Sequence, residues 1–211
     1  MAIKKDSIKL ITEVCASRSG LKVLDVGCGD KAYKNFIGEN NIYVGIDVED
    51  SGRPDDKKTA DIYYDGINIP MENNSIDIIL FLEVLEHVQY PEKLLPELSR
   101  VLKPSGQLIF SIPFIWPLHE EPFDFRRFTT YQCVALFNEL GFTTKKILTV
   151  DNGWRGLVKL LNSLAHKSES KVSRLILKLF ALISRLMFSL NKHDIKSLYI
   201  TNLALFEKKM S

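Results

Sequence analysis

Cysteine is scarce in this 211-residue chain, and the three present, Cys15, Cys28 and Cys133, form no C-x-x-C pair. That odd, scattered set argues against a disulfide framework and against a cysteine zinc site, and it suits a reducing compartment. No metal ligand set is expected. Long hydrophobic runs are missing too. Without 18 consecutive uncharged apolar residues, no ordinary membrane-spanning helix is expected. The first residues, Met-Ala-Ile-Lys-Lys-Asp, lack the apolar core of a signal peptide, so the expected location is cytoplasmic. Charge of one sign does not dominate: the net charge is +2, which gives no electrostatic reason to expect nucleic acid as a partner. What remains is 45% hydrophobic and 26% charged, ordinary for a globular protein, and the length suits one domain over 1–211 with a sizeable core.

The most informative stretch is Leu21 to Asp30, Leu-Lys-Val-Leu-Asp-Val-Gly-Cys-Gly-Asp. Apolar residues broken only by Lys22 and Asp25 read as a short strand buried on both faces. Gly27 and Gly29 follow at once, then helix-compatible residues over 31–38, closed by Gly38. A strand turning through two glycines into a helix opens a nucleotide-binding α/β sheet. Gly27-Cys28-Gly29-Asp30-Lys31-Ala32 fits the dinucleotide fingerprint G-x-G-x-x-G/A, a weak signal by itself. Asp25 narrows it. A carboxylate just before the glycines would repel a pyrophosphate and suit a ligand with a positive charge and an amino group. S-adenosylmethionine (SAM), with a sulfonium, an ammonium and no phosphate, is such a ligand.

Taken in order, residues 3–18 read as an amphipathic helix ended by Ser19-Gly20. Strands are expected at 21–26, 41–47, 60–64, 76–82, 107–112, 142–150 and 198–206. Helices are expected at 31–38, from Pro91 through Leu102, and from a Thr129-Thr130 cap through Leu140. Residues 49–58 read as a polar loop and 103–106 as a turn. Strands and helices that alternate with short connections imply a doubly wound, mostly parallel seven-stranded α/β sheet. Right-handed crossovers put the strand C-terminal ends on one edge, where the ligand crevice lies. Asp25, Gly27, Asp47, Asp65 and Glu83 all fall at those ends. Asp47, 18 residues beyond Gly29, stands where a carboxylate can accept from both ribose hydroxyls.

Two further segments stand out. Residues 113–128 carry five aromatics with His119, Glu120, Glu121, Asp124, Arg126 and Arg127. So many aromatics are wasted on a solvated loop, and a packed lid over an acceptor is expected. Residues 153–196 form a helical insertion before the last strand, with nine basic residues against two acidic ones. Within it, 172–190 reads as one basic amphipathic helix with a wide apolar face. Such a helix can lie on an anionic membrane, pack on the core, or form a dimer interface.

Several motifs in sequence resemble the class I SAM-dependent methyltransferases, in particular the type 11 branch (ubiquinone/menaquinone-biosynthesis-like domains). They are Leu24-Asp25-Val26-Gly27-Cys28-Gly29, Gly45-Ile46-Asp47, Asp65 through Pro70 with Asn74-Ser75-Ile76-Asp77, Leu85-Glu86-His87-Val88, and Arg100-Val101-Leu102-Lys103-Pro104-x-Gly106. The resemblance implies SAM as cofactor. It implies that Asp25, Gly27, Cys28 and Gly29 line its methionine half, and that Asp47 and Val48 meet the ribose. Asp65 and Gly66 would meet the adenine, and Glu83 would lie beneath the cofactor. Many relatives have a third glycine where this chain has Lys31, so a rearranged turn is expected there. His119-x-x-Pro122-x-Asp124-Phe125-x-Arg127-Phe128-Thr129 is similar to a subgroup linked to cell-surface glycans or lipid-linked sugars.

These readings imply a small-molecule, glycan-linked or lipid-linked acceptor, contacted by Trp116, Asp124 and Arg127. A base is needed only for an O–H or N–H acceptor, and His119 is the candidate. Its alternative is a histidine that only bonds within the lid. Glu86 and His87 read as braces of the turn after the fourth strand. Arg126 and Arg127 either hold an anionic acceptor or pair with Glu120, Glu121 or Asp124. Two other functions remain open: a nicotinamide-dependent oxidoreductase, and a SAM-binding protein without catalysis. Peripheral contact with the inner face of a membrane through 172–190, or a homodimer, is also expected.

Overall fold

The computed structural model describes residues 5–15, 17–50, 59–151, 153–190 and 199–210, with backbone alone at 154 and 187–190. Residues 51–58 of the expected 49–58 loop, Ser189 of the expected helix, and Lys192, Asp194 and Lys196 of the insertion therefore lie outside the described side chains.

The apolar runs form the strands. They are β1 (Lys22–Val26), β2 (Ile42–Asp47), β3 (Ile62–Tyr63), β4 (Ile76–Leu82), β5 (Leu102–Pro113), β6 (Phe142–Val150) and β7 (Thr201–Lys208). One seven-stranded sheet results, in the order β3-β2-β1-β4-β5-β7-β6. β1 to β5 run parallel, and β7 lies antiparallel between β5 and β6. β4 shows why its sequence reads as a continuous apolar run. Ile79 and Phe81 enter one core, while Ile78, Leu80 and Leu82 enter the other, so neither face meets water.

Helices cover both faces. α1 (Lys5–Cys15) supplies Leu10, Ile11 and Val14 to one core. α2 (Pro91–Val101) supplies Leu94, Leu95, Leu98 and Val101 to the other, and α3 (Thr130–Glu139) adds Cys133 and Phe137. Pro91 sits in the first turn of α2, and the Thr129 hydroxyl accepts from the Gln132 N–H to cap α3. α4 (Gly153–Lys167) and α5 (Lys171–Leu190) lie between β6 and β7 in the chain.

Three elements differ from expectation. Residues 31–38 form turns with a three-residue 3₁₀ segment, Lys34–Phe36, instead of a crossover helix. Eight residues ending in glycine cannot repay the cost of helix nucleation. β5 begins at Leu102, which pairs with Ile76. The chain then swings through Lys103–Gly106, with Ser105 at φ +60°, before Gln107 pairs with Ile78. The expected turn is thus a bulge inside a longer strand. β3, at one edge of the sheet, is two residues long where 60–64 is expected.

Polar ties close the ends of the sheet. The Asp77 carboxylate at the start of β4 accepts from the Lys22 N–H at 2.9 Å and from Lys103 Nζ at 2.7 Å. Burial alone would raise its pKa, but these bonds outweigh it and hold the carboxyl below its ordinary 3.8. A depressed acid contributes stability above its ordinary pKa and loses it as pH falls through the lowered value. Asp77→Asn is expected to cost about 1 kcal/mol at neutral pH. The difference from the unsubstituted protein should shrink in urea titrations below about pH 4.

Candidate functional site

Parallel neighbours bring the C-terminal ends of β1, β2, β3 and β4 together on one edge. A cavity of about 750 Å³ opens there. That is within the range of small-molecule sites. Its lining includes Gly27 from the first turn, Asp47, Val48, Glu49 and Asp50 from the end of β2, and Tyr63 to Ile67 from the end of β3. Glu83 to Gln89 contribute through Glu83, Val84, His87, Val88 and Gln89, and the lid adds Glu120, Phe123 and Phe125. Asp47, Glu49, Asp50, Asp65, Glu83 and Glu120 are all acidic. Among the described residues, no lysine or arginine lines this cavity.

The glycine corner is built by backbone bonds. The Gly27 and Cys28 N–H groups both donate to the Ile46 carbonyl, at 2.8 and 3.1 Å. The Gly29 N–H donates to Asp47 Oδ2, and the Val48 N–H to Asp47 Oδ1, each at 2.8 Å. Asp47 is buried, yet each of its oxygens keeps a lone pair beyond the one so used. Gly27 has φ +73°, and a Cβ there would come within 2.5 Å of Val84 Cγ2. Glycine is therefore required twice, by conformation and by space. Lys31, in place of a third glycine, holds φ +57° and donates to Asp61 at 2.5 Å.

The other strand ends are ordered as well. Asp65 accepts from the N–H groups of Ile67 and Asn68 and from the Asn68 amide, which holds its carboxyl below the ordinary range. Glu83 is buried at φ +57° and accepts from the Ser111 hydroxyl at 2.8 Å. A non-glycine residue at positive φ costs about 1–3 kcal/mol, and such strain clusters at functional positions.

Some expected residues stand elsewhere. Asp25 is buried on the face of Val23 and accepts from the Tyr43 hydroxyl at 2.6 Å. It does not line the cavity, and neither do Cys28 and Gly29. The Cys28 side chain turns towards Gly45, where its Sγ fills the space a Cβ would need. Burial, with Asp25 and Asp47 nearby, pushes its thiol up to about 12. Strand alternation explains Asp25: β1 residues two apart share a face, so Asp25 follows Val23 under the sheet.

The lid is packed, and its charges are used internally. Phe114 stacks on Tyr199 at 4.8 Å, and the Phe125 N–H donates to the Glu86 carbonyl at 2.8 Å. Arg127 forks onto Asp124, at 2.5 and 2.7 Å, and reaches the Trp116 carbonyl at 3.3 Å. Asp124 also accepts from the His119 N–H, and His119 Nδ1 lies 3.0 Å from the same carboxylate. Burial opposes ionisation of Asp124, but Arg127 and the His119 N–H win and hold it at about 2. Trp116, Asp124, Arg127 and His119, expected as acceptor contacts and base, are not among the residues that line this cavity. The histidine that does line it is His87. Of the aromatic cavity residues, Phe123 and Phe125 belong to the expected lid, whereas Tyr63, Tyr64 and Tyr90 carry no expected role. Tyr63 and Tyr64 end a recognisable strand, which is the signal that pointed there.

Comparison with known proteins agrees with this geometry. The model of the type 11 methyltransferase domain family matches residues 24–110. An uncharacterised methyltransferase of Mycobacteroides abscessus is 31% identical over 124 residues, covering 52% of this chain and 48% of that protein. The ubiquinone biosynthesis O-methyltransferase of Coxiella burnetii is 32% identical over 101 residues, covering 44% and 43%. The chain thus spans about half the length of the curated relatives it matches. Among solved structures, an S-adenosylmethionine-dependent methyltransferase from Mesorhizobium loti superposes with TM-score 0.58 at 13% identity, covering 95% and 96% of the two chains. The [4+2]-cyclase SpnF superposes with TM-score 0.63 at 16% identity, covering 97% and 81%. These structural likenesses establish the fold, which supports more than one chemistry.

Gly27→Ala is expected to lower stability by about 1–3 kcal/mol, from overpacking and positive φ together. Adding Val84→Ala removes the overlap, so the double variant should recover part of the lost melting temperature. If the pair is additive, the close approach is not the cause.

Proposed function

Because the chain carries a methyltransferase domain of the type 11, class I SAM-dependent family, we propose that it transfers a methyl group from SAM to a small-molecule, glycan-linked or lipid-linked acceptor. The observation that carries this reading is the acidic lining of the cavity. Six carboxylates without a described lysine or arginine suit a sulfonium and an ammonium, and they repel a pyrophosphate. The missing helix after the glycine turn points the same way. A dinucleotide site places its pyrophosphate on a helix N-terminus, and residues 31–38 provide none.

Bound there, SAM supplies an electrophilic methyl group for in-line displacement. The chain's own contribution is to hold and orient. Asp47 keeps lone pairs for the ribose hydroxyls, and Asp65 with the Gly66 backbone faces the adenine. Gly27 admits the methionine half, and Glu83 stands beneath it. Asp25, through the Tyr43 hydroxyl, and Cys28, packed against Gly45, support the corner from behind. Orientation of this kind can contribute on the order of 7–11 kcal/mol in well-aligned reactions. Glu120, which lines the cavity, is better placed than His119 to accept a proton from an O–H or N–H acceptor. Phe123 and Phe125 add apolar surface to the cavity wall.

Membrane contact through α5 fits the same acceptor class. Val172, Leu175, Ile176, Leu179, Leu182 and Leu186 are exposed, while the small residues Ala181 and Ser184 are buried. Lys171, Arg174, Lys178 and Arg185 add positive charge, and no acidic residue lies in the helix. No helix among the described residues is long and apolar enough to cross a membrane. A basic helix with its apolar side outward suits adsorption to an anionic surface.

Thermal shift tests the cofactor. At 100 times its dissociation constant, SAM should stabilise the protein by about 2.7 kcal/mol, and NAD should not. Asp47→Asn should weaken SAM about tenfold, or roughly 1.4 kcal/mol. A shift with NAD and none with SAM would overturn the reading. For α5, co-sedimentation with phosphatidylserine vesicles should be strong at low salt and fall with added salt. Absence of binding at low salt rejects the membrane contact.

A further inference from the structure

The fold gathers Glu86, His87 and His119 into one buried cluster. Glu86 and His87 sit on the 3₁₀ turn Leu85–His87 that leaves β4, and His119 comes from the lid 32 residues later. One ligand atom from each lies within 4.8 Å of the others. Nε2 of His87 is 3.8 Å from Glu86 Oε1, and Nε2 of His119 is 3.9 Å from the same oxygen. The two rings meet edge-on, with centroids 4.8 Å apart.

Each imidazole is fixed from behind through Nδ1. His87 Nδ1 lies 2.9 Å from the Phe123 carbonyl oxygen. A carbonyl only accepts, so Nδ1 carries the proton and Nε2 presents a lone pair. His119 Nδ1 lies 3.0 Å from the Asp124 carboxylate, which Arg127 keeps ionised, so the same tautomer follows. Both Nε2 atoms are buried and have no hydrogen-bond partner among the described residues. Two imidazole nitrogens and a carboxylate oxygen are therefore gathered within 4.8 Å of one another.

We propose that Glu86, His87 and His119 form a binding site for one divalent transition-metal ion, such as Zn²⁺. Outer partners on Nδ1, here a carbonyl and a carboxylate, are what orient metal-binding histidines in proteins. Donor separations of 3.8 and 3.9 Å need only small side-chain shifts to reach the edge of about 3.3 Å set by tetrahedral bonds of about 2.0–2.1 Å. Nitrogen donors favour Zn²⁺ and its first-row neighbours over Mg²⁺ and Ca²⁺, which take oxygen. His87 also lines the cavity, and Glu120 Oε2 lies 3.7 Å from its Nε2, so the ion sits at the cavity wall. The ligands join from two segments without a metal spacing, so no motif in the chain marks them. The site stands on its own geometry and does not depend on methyl transfer.

The test is direct titration of the chelator-treated full chain with Zn²⁺ and with Co²⁺, in the absence of SAM. One equivalent should bind, the melting temperature should rise, and Mg²⁺ should give no shift. His87→Ala and His119→Ala should each weaken Zn²⁺ on the order of 100-fold or more, and Asp124→Asn about 10–100-fold through His119. X-ray absorption of the Zn²⁺-loaded unsubstituted protein, which no folding defect can confound, should show two imidazole nitrogens with oxygen. Failure to bind one equivalent overturns the proposal. So does sulfur ligation, or unchanged affinity in both histidine variants.

Discussion

One carboxylate holds the corner on which the cavity depends. Asp47 accepts the N–H groups of Gly29 and Val48, so the first turn and the end of β2 share an acceptor. A helix would normally brace such a turn, and none follows here. The load falls on hydrogen bonds to an ionised group, which are stronger than neutral ones. The Thr59 N–H, donating to the Gly29 carbonyl at 3.1 Å, closes the corner from the other side. Lys31, where many relatives have a third glycine, takes the left-handed conformation at φ +57° in this turn.

From that corner the acidic rim follows as a constraint of topology. Parallel strands must end on the same edge, and three of them, β2, β3 and β4, end in residues that bring carboxylates there. Like charges gathered around a partly closed cavity raise one another's energy, and a cationic ligand relieves it. The rim is therefore selective before any close contact is made. A few ångströms away the lid uses the opposite strategy. Its arginine is spent on Asp124, Asp124 orients His119, and His119 turns its other nitrogen to Glu86. Charge that looked available for an anionic acceptor instead positions a histidine.

The α4–α5 pair shows the same economy in apolar form. α5 turns Ala181 and Ser184 inward, because small residues let two helices approach closely, and its long apolar chains are left outward. A wide apolar face on so exposed a helix is unusual for a surface in water alone. α4 is tied to the lid through Lys167, which donates to the Leu118 carbonyl. Whatever α5 rests on is thereby linked to the loop that borders the cavity.

The sequence by itself determined the strands, their order along the chain and the edge on which the site lies. Continuous apolar runs such as Ile76–Leu82 have no stable state except burial on both faces, and Gly27 fits no turn that a side chain could share. It also marked Asp47, Gly66 and Glu83 as strand-end residues, since their positions follow from the strand bounds. Tertiary structure decided where each side chain points. Asp25 went beneath the sheet by alternation, Arg127 found Asp124 before any acceptor, and 31–38 stayed too short for a helix. It alone brought Glu86 and His87 to His119, because that meeting depends on how β4 and β5 lie side by side. Local pattern sets the state of a segment, whereas convergence between distant segments is fixed only by packing.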